Sequence, residues 1–213
     1  MTEKWLMAVE PRTVWRSDDE RVFRDWARIA AGSALEAEME WLAGEPHRSF
    51  TGCEAAPPFC AFLSLRAQAG FDPDGLGAPA RTKVVALRLR EEPIFDRIRC
   101  EPGRVTPGVK KTTLWSARAG LDARDWEARY REHAKLVPSA HATAWRYRQN
   151  VIEAAPDGVP YDAVSELWWP SDEGLLEDFY ASEQARCLVA EDTRGFIDVA
   201  SAVQIVSRHE RLC

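Results

Sequence analysis

The 213-residue sequence has little cysteine, little histidine and no long apolar run, and each shortage excludes something. Its five cysteines, at 53, 60, 100, 187 and 213, are odd in number and show no C-x-x-C spacing, and its four histidines, at 47, 133, 141 and 209, are scattered. No zinc pattern results, no metal is expected, and reduced thiols, buried or at the surface, are the natural reading. No apolar run approaches the roughly 18–20 residues of a membrane span, so no membrane partner is expected. The opening Met1-Thr2-Glu3-Lys4-Trp5 lacks the apolar stretch and cleavage site of a secretory signal, and a cytoplasmic location is expected. Lys and Arg number 28 against 34 Asp and Glu, a formal net charge of −6 that argues against a nucleic-acid partner. G-x-G-x-x-G, P-loop, G-x-S-x-G and H-E-x-x-H motifs are all missing, so nothing indicates a nucleotide, a serine triad or a catalytic metal.

What is present is a globular composition, with 46% hydrophobic and 29% charged residues. That balance supports a packed core, in one large domain or in two of about a hundred residues each. Nine Trp exceed ordinary core needs and suggest an aromatic-walled cavity.

Hydrophobic periodicity divides the chain into elements. A strand is expected over 4–10, ended by Pro11. Ser17-Asp-Asp-Glu20 forms a capping-box pattern ahead of a helical stripe through Val22, Phe23, Trp26 and Ile29. That stripe is read on through Leu35, Met39 and Leu42 to a stop at Gly44, past a bend at Gly32. Strands follow around 48–53 and 59–66, then a Gly- and Pro-rich loop over 67–81 and a strand over 82–90. Residues 91–108, with three Pro and two Gly, read as the connection between halves. The second half predicts a strand over 109–117, then a helix capped by Asp122 whose inward stripe is Trp126, Tyr130, His133 and Val137, stopped by Pro138. Strands over 141–149 and 161–169 flank a turn at Pro156-Asp-Gly158. Helices capped by Ser171 and Ser182 and a strand over 201–208 complete it.

The order is strand, helix, strand, strand, helix, strand, the split βαβ pattern of a ferredoxin-like unit. The first half repeats it without the second helix. Asp25-Trp26 and Asp125-Trp126 occupy matching helices, and duplication is the reading that unites these features. The fold class is therefore α+β, with tandem ferredoxin-like halves: a degenerate one over 1–100 and a fuller one over 109–213.

Alternation sorts the residues that could carry chemistry. Along 141–149 one face holds His141, Thr143, Trp145, Tyr147 and Gln149, which suits a binding cavity or a half-wet surface. The other face holds Arg146 and Arg148. Along 161–169, Glu166 lies between Val164 and Trp168 on one face, with Leu167 and Trp169 on the other. Desolvation there would raise the carboxyl pKa toward acid–base use, unless a partner such as Arg146 holds it as a structural ion pair. His133, on its helix's inward stripe, is either a hydrogen-bonded structural residue or a proton carrier. Asp192 reads as a turn residue tying down the last loop.

Taken in order, Lys110-Lys-Thr-Thr-Leu-Trp115, Asp125-Trp126, Arg131-Glu-His133-Ala134, Trp145-Arg-Tyr147-Arg-Gln149-Asn150, Tyr161 to Trp169, Glu191-Asp192, Phe196-Ile-Asp198 and His209-Glu210 resemble the EthD family over residues 109–210. That resemblance implies a dimeric α+β barrel, closed here by the two halves of one chain as a monomeric pseudo-dimer or in a homodimer. It implies a cofactor-free enzyme, a lyase of dehydratase or decarboxylase type, acting on a small aromatic or polyketide-like compound. Monooxygenases and isomerases share the fold, and small-molecule or haem binders are further alternatives. Carried over by motif position, the catalytic groups would be His133, Tyr147 and Glu166. Strand facing alone places His141 and Trp145 against substrate, with Thr143, Trp168 and Trp169 beside them. Ser33 stands where the first half would match His133, so one working site is expected, with the first half as wall and lid.

Overall fold

Two-residue periodicity governs the molecule, because almost every strand is buried on both faces and each face must find a different partner. The computed structural model describes residues 2–12, 16–42 and 58–213. The first half comprises β1 (Thr2–Pro11), α1 (Ser17–Ala31), β2 (Glu36–Leu42), β3 (Ala61–Gln68) and β4 (Thr82–Asp96), with one 3-10 turn at Asp74–Leu76. The second comprises β5 (Arg104–Ala117), α2 (Ala123–His133), α3 (Val137–Ala140), β6 (Arg146–Ala154), β7 (Ala163–Trp169), α4 (Asp172–Leu176), α5 (Glu183–Arg194) and β8 (Ile197–Arg211).

The strands close into an antiparallel barrel in the order β1-β3-β2-β8-β5-β7-β6-β4. Each half contributes the same ferredoxin-like order, β4-β1-β3-β2 and β8-β5-β7-β6. The seams are β2 with β8 and β4 with β6. β4 and β8, 15 residues each, are long enough to pair within their own half and across the seam. Closure leaves neither half with a free edge strand. Asp25-Trp26 and Asp125-Trp126 fall in α1 and α2, corresponding elements of this pseudo-twofold arrangement.

Outward-facing residues pack under helices. Met7, Val9, Met39 and Leu63 meet Phe23 and Ala27 of α1, while Trp115 meets Trp126, Tyr130 and Phe196. Inward-facing residues form a separate apolar plug of Leu6, Ala8, Phe62, Leu87, Leu114, Val164 and Ile205, drawn from both halves. No helix among the described residues is long and apolar enough to cross a membrane.

Several elements differ from the sequence expectation. Helix α1 stops at Gly32, and Leu35, Met39 and Leu42 are not its continuation. The run 36–42 is β2, where Ala37, Met39 and Trp41 face α1 and Glu38 and Glu40 face inward. A spacing of three to four residues concealed a period of two. Arg16 rather than Ser17 takes the cap position of α1, and the Asp19 carboxylate accepts the Arg16 N–H at 2.9 Å. The expected strand at 48–53 lies outside the described residues. The 91–108 connection is mostly strand, because β4 runs to Asp96 and β5 starts at Arg104. Pro93 sits at a register shift in the β4–β6 pairing, where a missing N–H is tolerated. β6 starts at Arg146 rather than 141, and Pro138 lies in the first turn of α3 instead of ending α2. Asp122, Ser171 and Ser182 cap their helices as expected.

The plug makes the barrel's stability sensitive to internal volume. Phe62→Ala is expected to cost about 3–5 kcal/mol in urea unfolding, because Phe62 is wholly buried. Ile29→Ala, on the exposed face of α1, is expected to change it by less than about 0.5 kcal/mol. Equal effects would mean that the plug is not the core.

Candidate functional site

The sheet sorts the expected site residues onto opposite sides. β7 keeps the expected alternation, so Glu166 and Trp168 point into the barrel while Leu167 and Trp169 point out under the helices. On β6, Tyr147 and Gln149 point out, and Arg146 and Arg148 point in. The arginine face is barrel interior rather than wet surface, with Arg146 only 4% exposed. His141 and Thr143 lie in the turn before β6, and half-buried Trp145 donates its N–H to the Trp168 carbonyl at 2.7 Å. Thr143 is exposed and donates to the Asp178 carbonyl at 3.1 Å.

Inside the barrel, beyond the apolar plug, lies a network of buried charges. Lys110 is ion-paired to both Glu40 and Glu166. Glu166 also meets Lys4 at 2.8 Å and accepts from Asn150 Nδ2 at 2.9 Å. Lys4 pairs further with Glu91, and Arg148 with Glu38 at 2.9 Å. Burial by itself would lift the Glu166 pKa, as the sequence suggested. The charges of Lys110, Lys4 and Arg148 outweigh it and hold the carboxyl well below the usual range. The expected arginine pair is replaced by lysines: Arg148, directly across from Glu166, pairs with Glu38 and Glu91, while Arg146 lies across from Trp168 and pairs with Asp96. Trp168 is flanked by cations: Lys110 Nζ, Arg146 Cζ and Arg148 Cζ stand 4.5, 5.0 and 5.3 Å from its ring centre. A hollow of about 20 Å³ at the barrel mouth, bordered by Lys4, Glu38, Arg66, Glu91 and Arg148, has room for little more than a water molecule.

The outer face of the second half gathers a different set. His133, at the end of α2, places Nδ1 2.7 Å from Asp192 Oδ2 on α5. A carboxylate can only accept at that distance, so Nδ1 carries the proton and Nε2 keeps its lone pair. Burial lowers the His133 pKa, partly countered by Asp192, leaving a neutral imidazole at neutral pH. His141 donates from Nδ1 to the Phe179 carbonyl at 2.5 Å and is boxed by Trp169, Phe179 and Tyr180. Burial pushes its pKa down to about 4. Trp169 stacks on Phe179 with ring centres 5.2 Å apart. Tyr147, Leu167, Lys111 and Val206 form one row across β6, β7, β5 and β8. Lys111 Nζ sits 4.2 Å over the Phe179 ring, and burial brings its pKa down to about 7. Burial also pushes the Tyr147 phenol up, and its oxygen accepts from Gln149 Nε2 at 3.0 Å.

His133, Tyr147, His141 and Trp169 thus share the outer side, and Glu166 and Trp168 the inner. Asp192 and Lys111 join the outer set, although the sequence offered neither as a site residue. Asp192 is helical rather than a turn residue, three residues after buried Val189 on α5. Lys110-Lys111 carried a signal: two adjacent lysines inside an apolar strand must each face a buried side.

No family model matches the chain, and no curated protein matches it significantly. Solved structures do. The chain is similar to an anthrone oxidase-like protein at 9% identity and a TM-score of 0.63, over 99% of this chain and 93% of that one. It is similar to a proposed monooxygenase from Lactobacillus acidophilus NCFM at 10% identity and TM-score 0.51, over 100% and 94%. A mutant chlorite dismutase from Candidatus Nitrospira defluvii gives 11% identity and TM-score 0.53, over 99% and 91%. Identities this low show the fold, a ferredoxin-like dimeric α+β barrel, and nothing finer.

The inner network has a direct test. Lys110→Met leaves Glu40 and Glu166 buried without their shared cation and is expected to cost about 3–5 kcal/mol. The depressed carboxylates fix the sign of the pH dependence. Glu38, Glu91 and Glu166 titrate lower in the folded chain than when unfolded, so their stabilisation is complete above the ordinary carboxylate pKa. It fades as pH falls through their depressed folded values. Urea midpoints across an acid series check this, and a midpoint that rises on acidification would contradict it.

Proposed function

We propose that this chain is a cofactor-independent enzyme in which His133 removes a proton from a small aromatic or polyketide-like substrate held on the outer face of the second half. The reading rests on one observation, the 2.7 Å pair of His133 and Asp192 bridging α2 and α5. Asp192 fixes the ring and its tautomer, burial keeps the imidazole neutral, and Nε2 is left as the base. Tyr147 and Lys111 would supply a phenol O–H and an amine to an oxygen that gains negative charge, with Trp169 and Phe179 as apolar wall. In this reading Glu166 belongs to the barrel's internal charges and not to the reacting set.

A lyase follows when the carbanion expels a hydroxyl from the neighbouring carbon, which takes the proton from His133 and leaves as water. A decarboxylation would instead start with loss of carbon dioxide and end with a proton delivered to the carbanion left behind. A second reading, favoured by the likeness to an anthrone oxidase-like protein, lets the same carbanion meet dioxygen. Dehydration and reaction with dioxygen both begin at His133. The EthD resemblance of 109–210 is compatible with either.

A haem does not fit the side chains present. The space under the second half's helices is filled by Trp115, Tyr130 and Phe196, with ring centres 4.8–5.9 Å apart.

Wild type, His133→Ala and Asp192→Asn would be incubated with hydroxylated aromatic acids and polyketide mimics, with mass-spectrometric detection and an oxygen electrode. Loss of water or carbon dioxide marks the lyase, and oxygen uptake marks the oxygenase. His133→Ala is expected to lower kcat about 10²–10⁴-fold and Asp192→Asn by less. The base must be neutral, so kcat should sit on a plateau at neutral pH and fall only below the ordinary histidine range. Equal turnover by wild type and His133→Ala would overturn the assignment, and tight binding without product would make the chain a binder.

A further inference from the structure

We propose that Cys100 is an activated thiolate, served by a Glu38–His209–Thr106 relay, that is oxidised by small hydroperoxides. This site lies at the mouth of the barrel, in the 97–103 connection between the halves, and is separate from the outer-face site. Thr106 Oγ1 donates to Cys100 Sγ at 3.3 Å. A hydroxyl has one proton, so with that proton given to sulphur Thr106 must accept from His209 Nδ1, which lies 2.8 Å away. His209 Nδ1 therefore carries hydrogen. Its Nε2 stands 3.4 Å from Glu38 Oε2, outside hydrogen-bond geometry, and the charge of that carboxylate favours a proton there as well. The imidazole is then a buried imidazolium, 1% exposed, and the charge balance points to a thiolate at the other end.

Arg146 supplies a second reason to expect a reactant. It is 4% exposed, its Nη2 reaches Cys100 Sγ at 3.8 Å, and its Nη1 stands 3.6 Å from Glu38 Oε1, outside hydrogen-bond geometry. Its Nε stands 2.9 Å from Asp96 but off hydrogen-bond geometry. A buried guanidinium, ion-paired to Glu38 and Asp96 but with two N–H groups not yet hydrogen-bonded, beside a half-exposed sulphur is placed to hold an anionic oxygen. The charged groups around the site are Glu38 on β2, Asp96 on β4, Lys110 on β5, Arg146 on β6 and His209 on β8. Burial would raise the Cys100 thiol, but His209, Thr106 and Arg146 bring it below its ordinary value. Burial would lower His209, but Cys100 and Glu38 raise it. Cys60, by contrast, is sealed in the core and pushed up to about 12 by burial.

The step balances with the peroxide as oxidant. The thiolate attacks one peroxide oxygen, an S–O bond forms and the O–O bond breaks. Sulphur gives up an electron pair and becomes a sulfenic acid. The departing hydroxide, or alkoxide from an organic hydroperoxide, takes the His209 proton through Thr106 and leaves as water or alcohol.

The test uses the full chain, reduced, with iodoacetamide in a pH series and peptide-resolved mass spectrometry. Cys100 is expected to alkylate about tenfold faster than exposed Cys187 and Cys213 at neutral pH. Thr106→Val should move the Cys100 midpoint upward, and Thr106→Ser should restore it. With hydrogen peroxide and a sulfenic-acid trap, the adduct should appear on Cys100 first. Alkylation of Cys100 no faster than of Cys187, an unmoved midpoint in Thr106→Val, or trapping spread equally over the exposed cysteines would each overturn the proposal. The wild-type comparison stands even if a variant fails to fold.

Discussion

Lys110, buried between Glu40 and Glu166, is the contact on which the rest of the architecture turns. The three residues come from β5, β2 and β7, so one ammonium ties the second half to the first across the barrel interior. Lys4 repeats the device from the first half, reaching Glu91 and Glu166. Charges removed from water this completely are tolerated only when every one finds an opposite charge. The network therefore fixes register. Sliding any of these strands by one residue would turn its charges outward into the apolar layer beneath the helices.

That constraint explains the division of labour across the sheet. The interior is filled by the plug at one end and by matched charges at the other, and the neutral imidazoles His133 and His141 lie on the outer face. On the outer face burial acts without a matching lattice of countercharges. It leaves His133 neutral, brings Lys111 to about 7 and pushes His141 down to about 4. One sheet thus presents a carboxylate held ionised, Glu166, and an imidazole held neutral, His133, on its two sides.

The sequence made the repeated order of elements, the caps at Asp122, Ser171 and Ser182, and the alternation of β7 legible, because these are local features. It did not reveal β2, whose Met39 and Leu42 also fit a helical spacing and whose strand character comes from pairing with β3 and β8. Nor did it tell that both faces of a strand would be buried. Arg146 and Arg148 looked like a wet face only because closure of the barrel is a long-range fact. The outer site was half visible. His133, Tyr147, His141 and Trp169 stood out by type and facing, whereas Asp192 depends on how α5 packs against α2. Glu166 was rightly marked as buried, but the sign of its shift depends on Lys4 and Lys110, which come from two other strands.

The account holds that the outer face keeps an oriented, neutral imidazole while the strong charges stay inside. Nitrogen-15 NMR of the His133 ring during a pH titration of the full chain measures this directly. A ring that is the Nδ1–H tautomer at neutral pH and takes its second proton only below the ordinary histidine value is the expected result. A ring already protonated at neutral pH, or one carrying its proton on Nε2, would contradict the account, because neither leaves a base at that position.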